Sequence, residues 1–285
     1  KFFIEYANSS SWEPKRLDKS KLTILDRWIL SRLNNVVGQV TLSLEKFDAM
    51  RASQVLEDFI VQDVSTWYIR RSRDRKEDPV FFEASLVLWN TLTRLLAPFM
   101  PFVAETMYCA INYTSVHLTD WPDTDTLLID NQLEEHMGIL RKVAEKGHAV
   151  RKEKQIPVRQ PLKLLKVTVL LSSKEVIKDR LEELVPVLKE ELNIKEIEWN
   201  TNSGSVEPVV ELDTTITPEL EEEGKTRDLA REIQDERKKI GTSIMTKVLV
   251  IAPWIPNNPD LLNWLKKRTL SESIEKGDKL TVREV

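Results

Sequence analysis

The residues of this chain whose types and spacing could do chemistry gather in the run WYIRRSRDRK, Trp67 to Lys76. Two adjacent aromatics, Trp67 and Tyr68, lead into Arg70, Arg71, Arg73, Arg75 and Lys76, with Asp74 the one acid among them. At helical spacing Trp67, Arg71 and Arg75 fall on one face, so an aromatic plate sits beside guanidinium groups. That pairing suits a stacked base and its phosphates. The same residues also read as an ordinary helix end, with Trp67 and Tyr68 closing the core face and the arginines complementing the C-terminal dipole.

A second basic run lies between residues 141 and 163. Arg141, Lys142, Lys146, Arg151, Lys152, Lys154, Arg159 and Lys163 stand there against Glu145 and Glu153, a local excess of six positive charges in a chain of formal net charge −4. With that balance no whole-molecule field draws the chain to nucleic acid, and any such contact must come from local patches. Arg237, Lys238 and Lys239 end a third stretch, where a helix dipole explains them as well as a ligand does.

Catalytic constellations are absent from the sequence. It holds no glycine-rich phosphate loop, no paired histidines at ligand spacing and no Gly-x-Ser-x-Gly elbow. Glu219, Glu221, Glu222 and Glu223 read as dipole-complementing charge at a helix start rather than as a metal site. Cys109 reads as packing, and His148 as a phosphate contact or a solvated histidine. One cysteine forms no intrachain disulfide, and His117, His136 and His148 are too scattered to complete a zinc site with it. A reducing, cytoplasmic compartment is the natural expectation. No apolar run is long enough to span a membrane, and the start lacks a signal peptide and reads as internal to a longer protein.

The elements that must position these groups are mostly helical. With 41% hydrophobic and 31% charged residues and only 7 glycines in 285, long amphipathic helices dominate, in a chain long enough for two domains. Apolar residues recur every three or four positions from Ser20 to Phe47, with Asp18 or Ser20 as cap. A second helix carries Ala52, Leu56, Phe59, Asp63, Val64, Trp67 and Arg71 on one stripe, and Pro79 limits its extension. Asp63 inside that stripe is expected to pair with a basic residue of a neighbouring helix. A third helix spans Phe82 to Ala97, a fourth opens at Pro101 and runs to about Asn112, and a fifth covers Leu127 to about Gln155. Five helices with short connections read as a bundle.

The pattern then changes near Pro157 to Pro161. Strand-like KLLKVTVLL (163–171), a helical stretch over 174–192 and strand-like IKEIEWN (194–200) make a βαβ-like unit. A strand from Val206 to Asp213 follows. Then comes a helix capped by Thr217, opened by Pro218 and closed near Gly241. A strand over 247–253, a short helix from Pro259 to Lys267 and a strand from Lys279 complete the reading. The fold class is therefore mainly α: a linker (1–19), a helical bundle (20–157) and a small α/β (α+β) C-terminal domain (158–285).

Four separated strings, LDRWILSRLN (25–34), WYIRRSRDR (67–75), LLAPFMPFVAE (95–105) and SVHLTDWP (115–122), occur in an order and spacing that carry a resemblance. Together they look like the anticodon-binding helical domain of the class I aminoacyl-tRNA synthetases for isoleucine, valine and leucine. VRQPL (158–162) and EGKTRDLAREIQDERKKIG (223–241) are similar to the region that follows this domain in isoleucyl-tRNA synthetases. The family's signatures His-Ile-Gly-His and Lys-Met-Ser-Lys-Ser are absent, as are the C-terminal zinc-binding cysteines of some of its members. The resemblance implies a catalytically inactive, cofactor-free piece that binds tRNA(Ile) as a monomer, while ATP and Mg2+ belong to a missing catalytic domain. It points to Arg32 and Asn34 as polar contacts for anticodon nucleotides and to Trp67, Arg70, Arg71, Arg73, Arg75 and Lys76 as the aromatic and basic end. Arg151, Lys152 and Arg159 join them from the second basic run. The corresponding region of a valyl-tRNA synthetase and a helical protein-interaction module are the alternatives, and Asn34 and Trp67 also read as bundle packing.

Overall fold

The computed structural model describes residues 12, 13, 15–75, 78–112, 114–170, 181–202, 207–243 and 246–285. The chain forms two compact units, one up to Met137 and one from Gly138 on. This division falls inside a helix rather than at Pro157 to Pro161, where the sequence pattern changes.

The first unit is built on helix α1 (Ile24–Glu45). Its cap is Thr23, in a reciprocal box with Asp26, so the helix begins later than the apolar spacing suggests. Asp18 instead caps a separate 3-10 turn, Lys19–Lys21. Trp28, Ile29, Leu33, Val36 and Val40 form the buried face of α1. Helix α2 (Ala49–Asp58), capped by Asp48, runs on without a break as a π-helix, Phe59–Ile69, and ends in a 3-10 turn, Ser72–Asp74. Inside the π segment the Thr66 hydroxyl donates to the Val61 carbonyl five residues back, at 2.7 Å. The buried side chains Phe59, Asp63, Val64, Trp67 and Tyr68 follow the wider turn, recurring at steps of four and five residues.

Pro79 does more than stop α2, because it opens α3 (Pro79–Leu96) behind the Asp78 cap. Helix α4 (Pro101–Cys109) likewise opens on its proline and ends three residues short of Asn112. Cys109 is exposed at that end, not packed in mid-helix as its apolar neighbours suggest. Helix α1 packs against α2, the π segment and α3, and α3 packs against α4. Trp28, Phe59, Tyr68, Phe81 and Phe82 are the largest apolar side chains fully buried among the described residues of this unit. Each such side chain contributes roughly 1.5–3 kcal/mol. Helix α5 (Asn131–Glu153) holds the division between the units.

The second unit repeats one topology twice. Strand β1 (Leu162–Leu170), helix α6 (Leu181–Leu192), β2 (Ile194–Asn202) and β3 (Val209–Leu212) form a sheet of order β2-β1-β3. Strand β1 is parallel to β2, with Leu162 opposite Ile194, and antiparallel to β3, with Leu165 opposite Leu212. Residues 174–180 of the expected 174–192 helix lie outside the described residues. After helix α7 (Pro218–Lys239), β4 (Val248–Ala252), α8 (Pro259–Thr269), β5 (Ser271–Lys276) and β6 (Thr281–Glu284) make a sheet of order β5-β4-β6, again parallel then antiparallel. Leu229, Ile233, Val248, Val250, Leu265 and Val282 form the core between α7, α8 and this sheet. Thr217 caps α7, Pro218 is in its first turn, and Gly241 follows it at φ 74°, as their residue types predict. Among the described residues no helix is long and apolar enough to cross a membrane.

Candidate nucleic-acid interface

The basic end of α2 is fastened to the start of α1 by one buried carboxylate. Asp26 accepts hydrogen bonds from the Thr23 backbone N–H (3.0 Å) and hydroxyl (2.7 Å) and from the Tyr68 hydroxyl (2.8 Å). The Arg75 guanidinium grips both of its oxygens, at 2.7 and 2.8 Å. Asp78 adds a second carboxylate 2.8 Å from Arg75, and the Phe81 ring lies 5.3 Å beneath the guanidinium. Burial works against the Arg75 charge, but the hydrogen bonds and charge of Asp26 outweigh it and raise its pKa. Burial and the adjacent Asp26 push the Tyr68 phenol well above its ordinary value.

This geometry separates residues that the sequence places together. Trp67 and Arg71 do share a face, with the guanidinium 4.7 Å from the ring centroid, but Trp67 is only 8% exposed. Its ring therefore braces the helix beneath Arg71. Arg75 leaves that face altogether, since the 3-10 turn carries it back to Asp26. Arg32 is occupied between Asp63 (2.9 Å) and Glu134 (3.1 Å), which answers the expectation that Asp63 pairs with a neighbouring helix. Burial disfavours the Arg32 charge, and these two carboxylates more than restore it. Asn34 is buried, donating to the Leu30 carbonyl and accepting from the Asp125 N–H, both at 2.8 Å. Arg70 and Arg73 are exposed and Arg71 is partly so, while Lys76 lies outside the described residues.

The second basic run divides in the same way. Arg151 is 1% exposed and donates to the carbonyls of Pro157 (3.1 Å), Gln160 (3.0 Å), Leu192 (2.6 Å) and Asn193 (3.3 Å). Burial pulls its pKa down to about 10. Arg151 is thus a clamp on backbone rather than a surface cation. Lys152 is exposed, and Arg159 is exposed and paired with Asp228 at 2.5 Å. Lys146 and Lys142 reach Glu207 at 3.1 and 3.7 Å, and His148 lies 2.7 Å from Glu191. The acidic cluster of α7 is dispersed: Glu222 accepts from the Asn257 N–H, and Glu223 pairs with Lys195 and Arg227. Among the described residues no group of three or more His, Cys, Asp or Glu could hold a metal ion.

Phe47 is the residue the sequence misplaces most. Its spacing puts it at the end of the buried stripe of α1, yet it is 96% exposed, more than any other large hydrophobic among the described residues. The only sequence signal for this is its place directly before Asp48, the cap of the next helix.

Comparison with known proteins adds the lineage of this arrangement. A model of the anticodon-binding domain of tRNA ligase matches residues 26–168, half of the chain, beginning at the buried Asp26. The chain is 35% identical to an isoleucine–tRNA ligase of Dehalococcoides mccartyi, over 97% of its own length and 30% of that protein. It is 32% identical to an isoleucine–tRNA ligase of Pyrococcus abyssi over 89% of its length and 22% of that protein. A Streptomyces avermitilis isoleucine–tRNA ligase is 37% identical over 66% of the chain and 18% of its own length. The chain thus spans less than a third of these relatives. It belongs to the family of the anticodon-binding domain of tRNA ligases.

Proposed function

We propose that this chain is the tRNA-binding part of an isoleucine–tRNA ligase, and that its bundle holds the anticodon stem and loop of tRNA(Ile). The observation that carries the reading is the family match over 26–168, which takes in the α1–α2 pair with Arg70 and Arg73 exposed at its end. Arg70, Arg71, Arg73, Lys152 and Arg159 meet RNA phosphates in this reading. Arg32, Asn34, Trp67, Arg75 and Arg151 hold the surface that presents them. Ligation, with its ATP and Mg2+, falls to a part of the protein bearing the His-Ile-Gly-His and Lys-Met-Ser-Lys-Ser signatures, and these 285 residues alone are inactive in aminoacylation. The protein acts as a cytoplasmic monomer.

The test is binding of the chain to an isoleucine tRNA transcript and to the same transcript with a changed anticodon, at two salt concentrations. Each phosphate neutralised contributes roughly 0.7 to 0.9 to the log–log salt slope. Tighter binding of the unaltered transcript is expected. Equal binding of both, or none at low salt, overturns the reading.

A further inference from the structure

We propose that Phe47, at the tip of the α1–α2 turn, is the platform on which an unpaired base of the bound RNA stacks, with Lys46 and Arg51 beside it for the flanking phosphates. The inference rests on the tRNA-binding reading and names a contact within it.

Two features of Phe47 run against folding. Its φ of 58° is left-handed, a conformation strained for a residue with a β-carbon. The turn demands that conformation: the Phe47 N–H donates to the Leu44 carbonyl and the Asp48 N–H to the Ser43 carbonyl, both at 2.9 Å. This is the closure that glycine fills without strain. The end of α7 shows the economical solution, with Gly241 at φ 74° in the equivalent place. The turn therefore needs a left-handed residue but not a phenyl ring, and that ring packs on nothing. Gln155, Asn193 and Leu270 also follow helices at positive φ, so what sets Phe47 apart is that its left-handed position carries an aromatic ring 96% exposed.

The surroundings define the ligand. Met50, 71% exposed, and Leu42, 52% exposed, are further uncovered apolar side chains close to Phe47 in the sequence. Lys46 and Arg51 are exposed, and neither has an ion pair among the described residues. The acids at the tip are Glu45 and Asp48, and Asp48 is engaged in capping α2 through the Arg51 N–H. A flat ring flanked by flexible cations matches a base and its phosphates. Trp67, the aromatic that its sequence context favours for this role, is covered by Arg71. The pairs Tyr68–Asp26 and Arg32–Asp63 set α2 antiparallel to α1, so Phe47 stands at the opposite end of the hairpin from Arg70 and Arg73. Over the 22 residues of α1 that separation is roughly 30 Å. The ligand implied is long: stem phosphates at the arginines and an unpaired base at the far tip.

The experiment uses the whole chain and an RNA hairpin of the anticodon stem and loop, with 2-aminopurine substituted in turn at each loop position. Phe47→Gly keeps the turn and relieves its strain, so its Tm is expected to rise while hairpin affinity falls about 5- to 150-fold, the loss of one stacked base. Phe47→Trp is expected to retain affinity, and one loop position should show fluorescence quenched by wild type and Phe47→Trp but not by Phe47→Gly. A continuous duplex of the same length should bind wild type and Phe47→Gly alike. If wild type binds the hairpin and Phe47→Gly binds it equally well, the stack is overturned and the tRNA reading stands. If the affinity loss is as large for the duplex, base stacking is overturned. If wild type binds no hairpin, both fall.

Discussion

Replacing Asp26 by asparagine removes one charge and changes almost no volume, at the point where α1, Tyr68 and Arg75 meet. Asp26 is fully buried and takes five donors on two oxygens. An amide supplies only one acceptor oxygen and turns two N–H groups toward Arg75 or Thr23, which are themselves donors. Removing one partner of a buried ion pair costs about 3–5 kcal/mol, because the other charge stays desolvated. Arg75 keeps Asp78 and some access to water, its side chain being 16% exposed, which favours the lower end, about 3 kcal/mol. At roughly 3 °C per kcal/mol for a unit of this size, the melting of the first unit should fall by about 10 °C. Thermal unfolding followed by far-UV circular dichroism reads this directly. A double-mutant cycle with Arg75→Met should give a coupling of about 2 kcal/mol, since the second substitution removes the stranded charge. A loss below about 1 kcal/mol for Asp26→Asn, or an additive cycle, refutes the assignment of Asp26 as the fastener.

Arg70→Gln with Arg73→Gln should lower the log–log salt slope for RNA binding by roughly 1.5 and leave Tm unchanged, whereas Arg75→Gln should lower Tm with little change in slope. The same slope in the double variant would show that those two arginines face no phosphate. The raised Tyr68 pKa makes the neutral phenol a source of stability that is full below the ordinary value near 10 and lost as pH rises above it. Tyr68→Phe should therefore unfold in alkali with a shallower pH dependence, by about one proton, in urea titrations taken at successive pH values. Arg151→Met strips donors from four carbonyls and should destabilise the second unit by about 2 kcal/mol or more. Arg151→Lys should restore little of that, since an ammonium lacks the guanidinium fork.

Much of the fold was legible because its signals are local. The apolar spacing of α1, α3 and α5, the prolines at Pro79, Pro101 and Pro218, and the Thr217 cap each act within a few residues of themselves. Asp63 was legible for a similar reason, since a charge in an apolar stripe requires a partner. The partners of other polar groups lie far along the chain. Nothing near Arg75 announces Asp26, 49 residues away, and Arg151 reads as one more surface cation until four carbonyls close around it. Strand β5 escaped notice because SESIEK lacks a β-branched run; it is an edge strand, held by backbone pairing to β4. At the candidate interface, residue type revealed that cations and aromatics are present, and burial then decided which of them face outward.

The π segment of α2 is also a rotational setting. At about 4.4 residues per turn rather than 3.6, its 11 residues complete roughly two and a half turns where an α-helix would complete three. The chain beyond Ile69 therefore leaves about half a turn from the direction an unbroken α-helix would give it. That phase difference sets the direction from which the 3-10 turn then carries Arg75 back to Asp26, with Arg70 and Arg73 left exposed. Deleting a single residue between Phe59 and Ile69 would change no cation, yet would re-aim all of them by about a quarter of a turn. The spacing of backbone bonds upstream thus decides which way the charged end of the hairpin looks.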